Sequence, residues 1–414
     1  MVSTGRVSRG VDTAVGRRSH LRGNPGPFGR GASERARPNH RREGHVVGKQ
    51  VAPLKIGIVG CGHIIGAYLE TFPKLQSVRL VAVADLDRSR ADAVAAEYDG
   101  VRSLSVDELM ADNEVQLVLN LTIPAAHAEI ARQAILAGKQ VYGEKPLAAD
   151  TVQAATILAA AEKAGLTIGC APDTVLGTGT QTARRAIDDG LIGTPISATA
   201  TMMTPGHERW HPNPDFYYLP GGGPLLDMGP YYVSALITLL GPVASVIGAA
   251  SHTRDSRTIG SGPRKGESIA VSTDTHVTGV LVHESGALST LVMSFDAVAT
   301  QAANIEIHGE RGSLIVPDPN RFDGDVKLCG LGSTEWETLP VSAGYVDASR
   351  GVGLHDLAVT EKDVEPRASA RLAFHALDVM ESVLSSARSG QSISISSTCE
   401  RPTPVPLTEL SVRA

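Results

Sequence analysis

The sequence is short of several things, and each shortage removes a class of protein. It has only four cysteines, Cys61, Cys170, Cys329 and Cys399, in 414 residues. None forms a CxxC pair or stands at ligand spacing from a histidine, so neither a disulfide framework nor a zinc site is expected. Reduced thiols and a cytoplasmic setting are the expectation. No apolar run reaches the roughly eighteen residues that a membrane-spanning helix needs, so no membrane partner is expected. Aromatic residues make up 4% of the chain, so any cluster of them carries information. Positive charge is scarce beyond the start. Residues 1–50 hold ten Arg and one Lys against Asp12, Glu34 and Glu43, a net +8; with -6 overall, about -14 is left for the rest. That balance gives no reason to expect nucleic acid as a partner.

The first fifty residues are rich in Arg, Gly, Ser and Pro and lack apolar periodicity. Such a segment buries too little surface to offset its ordering entropy, so 1–50 is expected to be a disordered basic tail. Arg17-Arg18 is followed by no apolar stretch, which argues against an export signal. An upstream extension from a misassigned start is a further reading, since the folded pattern begins near Val51.

What is present is a stretch that organises the chain, Lys55–Phe72 (KIGIVGCGHIIGAYLETF). Apolar Ile56, Ile58 and Val59 read as a strand running into Gly60-Cys61-Gly62, and a helix is expected from about His63. A dinucleotide site needs this order: Gly60 for the tight turn, Gly62 for close backbone approach, and the N–H groups of His63 and Ile64 at a helix start for the pyrophosphate. The third glycine is one residue late, at Gly66. Arg79–Ala84 reads as a second buried strand ending at Asp85, whose carboxylate suits ribose hydroxyls and repels a 2′-phosphate. That favours NAD over NADP, although Arg88 lies nearby and leaves NADP open. Val115–Leu121 is a third strand, followed by Thr122, Pro124 and His127 and by a helix expected over Ala128–Ala137. Gln140–Tyr142 is a fourth, ending at Glu144-Lys145-Pro146. The alternation continues through a helix at Thr151–Ala164 and a strand at Leu166–Cys170. It predicts an α/β fold: a doubly wound parallel sheet over 51–172.

Beyond residue 173 the pattern changes to alternating strands separated by tight turns, at Ile196–Met203, Val243–Ala249, Thr275–His283, Ala287–Phe295, Asn304–His308 and Ser313–Val316. An α+β portion with a largely antiparallel open sheet is expected over 173–414, one face on helices. Pro230–Leu240 and Leu372–Arg388 read as helices, with Asp227 a possible cap of the former. Arg254–Glu267 reads as a mobile polar loop, and His355-Asp356 as a weak candidate for the pocket edge. His207–Tyr218 gathers much of the scarce aromatic content. Trp210 and His211 in it suit stacking on a sugar and hydrogen bonding to its hydroxyls. His207 and His211 lie in no clear helix, so no metal is expected.

Three motifs together resemble the Gfo/Idh/MocA oxidoreductase family: the glycine loop, Glu144-Lys145-Pro146, and Gly221-Gly222-Gly223-Pro224-Leu225-Leu226-Asp227-Met228-Gly229-Pro230-Tyr231-Tyr232. The resemblance runs from about Leu54 to about Leu407. It implies an NAD(P)-dependent oxidoreductase moving hydride between nicotinamide and a hydroxyl or carbonyl of a sugar, polyol or related cyclic compound. It implies Lys145 beside the nicotinamide and the reacting hydroxyl, with Asp227 facing the substrate. It tilts His127 and Glu144 toward the cofactor. Many members carry His four residues after that aspartate; here the residue is Tyr231, as in glucose–fructose oxidoreductase and dihydrodiol dehydrogenase, which implies Tyr231 as the acid/base group. Adjacent Tyr232 is the competing choice. The resemblance also implies a homodimer or homotetramer built on the open sheet. Two other activities occur among relatives: NAD-dependent glycoside cleavage through a transient oxidation, and non-catalytic nucleotide-responsive regulation. Chemically, burial is expected to bring the Lys145 ammonium down from about 10.4 toward neutrality, and Lys145 to bring down the Tyr231 phenol.

Overall fold

Ile56–Val59 lies at the centre of the first sheet, as the buried part of β1 (Leu54–Val59), in a computed structural model that describes residues 52–361 and 364–410. The expectation for the 1–50 tail falls outside those residues. β1 pairs with β2 (Val78–Ala84) on one side and β4 (Leu117–Asn120) on the other. β3 (Arg102–Leu104) extends the sheet beyond β2, and β5 (Gln140–Gly143) then β6 (Ile168–Cys170) extend it beyond β4. Every pairing is parallel. The strand order reverses between β1 and β4, and the crevice outside their carboxyl ends is where such sheets bind ligands.

The connecting helices follow local rules with two shifts. α1 begins at Ile65 rather than His63 and is only five residues long, Ile65–Leu69. α2 (Arg88–Glu97) starts after Asp87, whose side chain accepts from the Ser89 N–H, and α3 (Val106–Ala111) carries a capping box of Ser105 and Glu108. α4 (Pro124–Leu136) begins four residues earlier than expected. Pro124 occupies its first position, where a missing N–H costs nothing. α5 (Thr151–Ala164) is capped by Asp150.

After α6 (Thr178–Asp188), β7 (Pro195–Met203) opens a nine-stranded sheet. The next strands are β8 (Val243–Ser251), the short pair β9 (Ser256–Thr258) and β10 (Ser268–Ala270), β11 (His276–His283) and β12 (Leu288–Ser294). In the large sheet β8, β11, β12 and β7 are successive neighbours, followed by Ile305–Gly309 and Gly312–Val316. All pairings are antiparallel except β7 with β12. One face carries Val246, Leu281, Leu291, Ile305, Ile307 and Leu314 into a core with α7 (Pro224–Leu240) and α9 (Ala370–Ser389). Gly248 permits this approach: a Cβ there would stand 2.2 Å from the Val383 carbonyl oxygen of α9. The other face exposes Ile247, Val280 and Leu288.

Two expectations are corrected here. Residues 254–267 do not form a loose loop. β9 pairs with β10, and Arg257, 3% exposed, ion-pairs with Glu208 at 3.2 Å and with Asp296. Arg264 holds Asp215 at 2.5 Å. A polar sequence looks mobile when the carboxylates that bury its arginine lie elsewhere in the chain. His355 and Asp356 also leave the pocket edge. Both sit in α8 (Val352–Val359), where Asp356 is fully buried against Tyr345 and Arg367 and His355 Nδ1 meets Ser77 Oγ at 2.8 Å.

Candidate active site

Gly60 turns the chain at the end of β1 with φ +103°, and a Cβ there would stand 2.7 Å from the Leu121 backbone at the end of β4. The turn is therefore pressed against the neighbouring strand's exit, a fit only glycine allows. Gly62 differs: a Cβ there meets nothing within 4 Å, so that side of the loop is open. Among the described residues, the N–H groups of Gly62, His63 and Ile64 have no acceptor. Three adjacent free donors beside an open glycine suit an anionic pyrophosphate. They lie just ahead of α1, where the sequence reading expected the helix start.

Asp85 at the end of β2 accepts the Cys61 N–H at 2.7 Å and the Asp87 N–H at 2.8 Å. It braces the glycine loop while staying partly exposed. Arg88 is drawn off to Asp92 at 3.1 Å and to the Ser103 carbonyl at 2.7 Å. Thr122 Oγ1 donates to Asn120 at 2.7 Å, and exposed Pro124 opens α4 at the rim. The donors, the open glycine and the carboxylate fit a dinucleotide. Two residues expected at the cofactor lie mostly buried and carry partners of their own. His127 is 2% exposed, with its ring nitrogens 2.6 Å from the Pro146 carbonyl and 3.0 Å from that of Thr122. Because α4 starts early, the ring lies inside its first turn and ties two rim loops together. Glu144 is 8% exposed, and its carboxylate accepts from the Tyr68 hydroxyl at 2.8 Å and from the Lys145 N–H at 3.0 Å.

Lys145, at the end of β5, reaches the first turn of α7. Its Nζ donates to Asp227 Oδ1 at 3.0 Å and to the Asp227 carbonyl at 2.8 Å. Asp227 is therefore inside the helix and not its cap. Tyr231 follows one turn later on the same helix face, its ring centroid 5.4 Å from Lys145 Nζ. Tyr232 points elsewhere, taking an amide hydrogen from Asn304 at 2.8 Å. The sequence did not single out two other members. Arg350, just before α8, lies 5.5 Å from the Tyr231 ring centroid. His207 Nε2 lies 3.2 Å from Asp227 Oδ2. Arg350 is far from Tyr231 along the chain, with no spacing to reveal it. His207 sat in a flagged loop, but nothing there showed which neighbour it would meet. Trp210 is 58% exposed and His211 half-buried on that loop, and burial lowers the His211 imidazole.

The electrostatics reverse the expected directions. Burial opposes the Lys145 charge, but Asp227, Tyr231 and Glu144 outweigh it and hold the ammonium above its ordinary range. Burial raises the Tyr231 phenol, and Lys145 and Arg350 offset this only in part. Burial lowers His207 despite the adjacent Asp227 and Glu208. Near neutrality the cluster thus holds an ammonium, a protonated phenol and a neutral imidazole. Among the described residues no group of three His, Cys, Asp or Glu side chains is placed to hold a metal.

Residues 54–171 match the model of an oxidoreductase family with an NAD-binding Rossmann fold, and residues 180–315 match the GFO/IDH/MocA C-terminal domain. A dTDP-3,4-didehydro-2,6-dideoxy-alpha-D-glucose 3-reductase of Actinomadura kijaniata is 30% identical over 49% of this chain and 61% of its own, so the chain spans less than two thirds of that relative. D-xylose 1-dehydrogenase (NADP(+)) 2 of Haloferax volcanii is 30% identical over 61% of this chain and 73% of its own. A solved NAD-binding oxidoreductase of Klebsiella pneumoniae is 25% identical, with a TM-score of 0.72 over 83% of this chain and 99% of its own.

Proposed function

The chain belongs to the GFO/IDH/MocA family of NAD-binding oxidoreductases, and from that premise we propose that it moves hydride between nicotinamide and a hydroxyl or carbonyl carbon of a sugar, polyol or related cyclic compound. Bound NAD supplies the hydride acceptor. This chain's residues place the alcohol and manage its proton. The observation that carries the reading is the Lys145–Asp227–Tyr231 cluster at the carboxyl end of the parallel sheet, beside the open donors of the glycine loop.

Lys145 spends two of its three N–H donors on Asp227. The third is left for the substrate oxygen, where a fixed ammonium stabilises developing alkoxide charge. Tyr231 exchanges the hydroxyl proton, and Asp227 keeps Lys145 aimed. Gly60, Gly62, His63, Ile64, Asp85, Thr122 and Pro124 form the cofactor rim, with Trp210 and His211 over the substrate side. NAD is preferred to NADP, because a 2′-phosphate would meet Asp85 while Arg88 is engaged elsewhere. Residues 51–172 serve the cofactor, and 173–414 serve substrate and self-association. Homodimers or homotetramers form through the face bearing Ile247, Val280 and Leu288. The four cysteines, all free, suit a cytoplasmic setting.

The test mixes the protein with NAD or NADP and a panel of aldoses, polyols, inositols and glycosides, and follows nicotinamide reduction beside Lys145→Ala. Reduction is expected with NAD, and the variant is expected to lose about 10²–10⁴-fold in kcat. Near-normal turnover in the variant would overturn the assignment. Sugar release without net reduction would point to glycoside cleavage instead.

A further inference from the structure

His207, like Arg350, is a member of the cluster that the family pattern gave no reason to expect. It is 9% exposed, yet neither ring nitrogen has a well-formed hydrogen bond. Nε2 stands 3.2 Å from Asp227 Oδ2 but off the line that a strong bond needs. Leaving a buried polar atom unsatisfied costs about 1–3 kcal/mol. Such atoms in a folded protein call for an explanation, and catalytic hydrogen bonds are often misaligned before the substrate closes the site.

The surroundings hold this imidazole in place. Its ring packs edge-on to Trp210 at 5.2 Å and Phe295 at 4.4 Å, and tilted on Tyr217 at 4.8 Å. The backbone N–H of His207 donates to the Tyr218 hydroxyl at 3.1 Å, and that hydroxyl donates to Glu208. Glu208 in turn is held by Arg257, almost fully buried, on β9. An aromatic cage and a buried ion pair thus fix a ring whose polar atoms have no structural use. Within reach of Nε2 is the Asp227 oxygen that Lys145 does not take.

We infer that His207 is a positioning residue: its Nε2–H donates to Asp227 Oδ2, fixing the carboxylate so that Oδ1 aims the Lys145 ammonium at the reacting oxygen. Position 231, where many family members place a histidine, is tyrosine here; the imidazole beside the aspartate arrives instead from a loop on another element. The groups that face it are Asp227 on α7, Lys145 at the end of β5, and Glu208, His211 and Tyr217 on its own segment.

The inference rests on the proposed dehydrogenase reading, and two measurements separate their fates. The first compares His207→Phe, which keeps the cage filled but removes the donor, with His207→Gln, which returns an N–H near the Nε2 position. His207→Phe is expected to lower kcat about tenfold to a hundredfold with the Kd for NAD unchanged, and His207→Gln to recover most of it. Normal kcat in His207→Phe, or no recovery in His207→Gln, overturns the inference. If Lys145→Ala also turns over normally, the dehydrogenase reading falls with it. The second needs no substrate. In ¹⁵N-histidine-labelled protein, assigned by the signal that His207→Phe removes, the ring is expected to be neutral at pH 7 with its proton on Nε2. Its titration midpoint is expected to fall further in Asp227→Asn. A proton on Nδ1, or a midpoint that Asp227→Asn leaves unmoved, also overturns it.

Discussion

At the scale of single residues, the cluster sits in its proton-loaded form. Lys145 is held as an ammonium by Asp227, and the Tyr231 phenol is pushed up by burial. Such a pair stays protonated near neutrality, available as a donor, and accepts a proton only when the solution is alkaline. Reduction of a carbonyl should therefore run well near neutrality, while alcohol oxidation should keep rising with pH toward and past the ordinary phenol value of about 10. Measuring kcat against pH in both directions checks this; an oxidation rate that levels off near pH 7 would assign the proton to a group other than Tyr231. Tyr231→Phe should cost about 10²–10⁴-fold in kcat and abolish the alkaline rise, since no phenol remains to ionise. Tyr232→Phe loses one contact to Asn304 and should leave the pH profile unchanged.

At the scale of elements, the three glycines of the first loop separate into three roles. Gly60→Ala forces a side chain into the Leu121 backbone at an unfavourable φ, and should lower Tm markedly or prevent folding. Gly66→Ala sits in α1 with nothing nearby and should be neutral or more stable, by up to about 1 kcal/mol. Its displacement from the usual spacing thus has no steric consequence. Gly62→Ala should fold normally, because its Cβ meets no protein atom, but bind NAD more weakly. Calorimetry together with NAD titration distinguishes all three, and unchanged NAD affinity in Gly62→Ala would count against pyrophosphate at this loop. A second element-scale prediction concerns β9 and β10. Arg257→Met leaves Glu208 and Asp296 buried without their partner, which should cost about 3–5 kcal/mol and loosen the aromatic loop. Denaturant unfolding reads this directly.

The legible and illegible parts divide along the same line. β1, β2, β4 and β5 were readable because strands buried on both faces are nearly continuous apolar runs. Lys145 and Asp227 were found by motif, although spacing alone does not say that they touch. Arg350 and His207 were not found, because their roles arise only when distant segments meet. The directions for Lys145 and Tyr231 went wrong for a related reason: burial alone lowers a lysine, and only the placed carboxylate reverses it. His127 lies further inside than the sequence suggests, because a helix start four residues early places its ring in the first turn of α4.

At the scale of the whole molecule, the open face of the nine-stranded sheet carries Ile247 on β8, paired with Val280 on β11, and Leu288 at the start of β12. If this face joins two subunits, Ile247→Lys with Val280→Lys should yield a folded monomer. Light scattering after size exclusion, with circular dichroism to confirm the fold, gives the answer; an unchanged oligomer would move the contact elsewhere.

A cluster of buried residues on one side of the first sheet bears on how the protein is made. Ile56, Ile58, Leu119 and Tyr142 of the first sheet share that cluster with Leu354 and Leu357 of α8. The sheet has all its strands by Cys170, yet the layer that α1 and α2 cover in part lacks Leu354 and Leu357 until nearly two hundred more residues have left the ribosome. Synthesis order and folding order therefore differ. The nascent N-terminal half must be shielded while it waits, and a ribosome that stops before Leu354 releases a chain with complete strands and an exposed oily surface, the kind of product that chaperones and proteases recognise first.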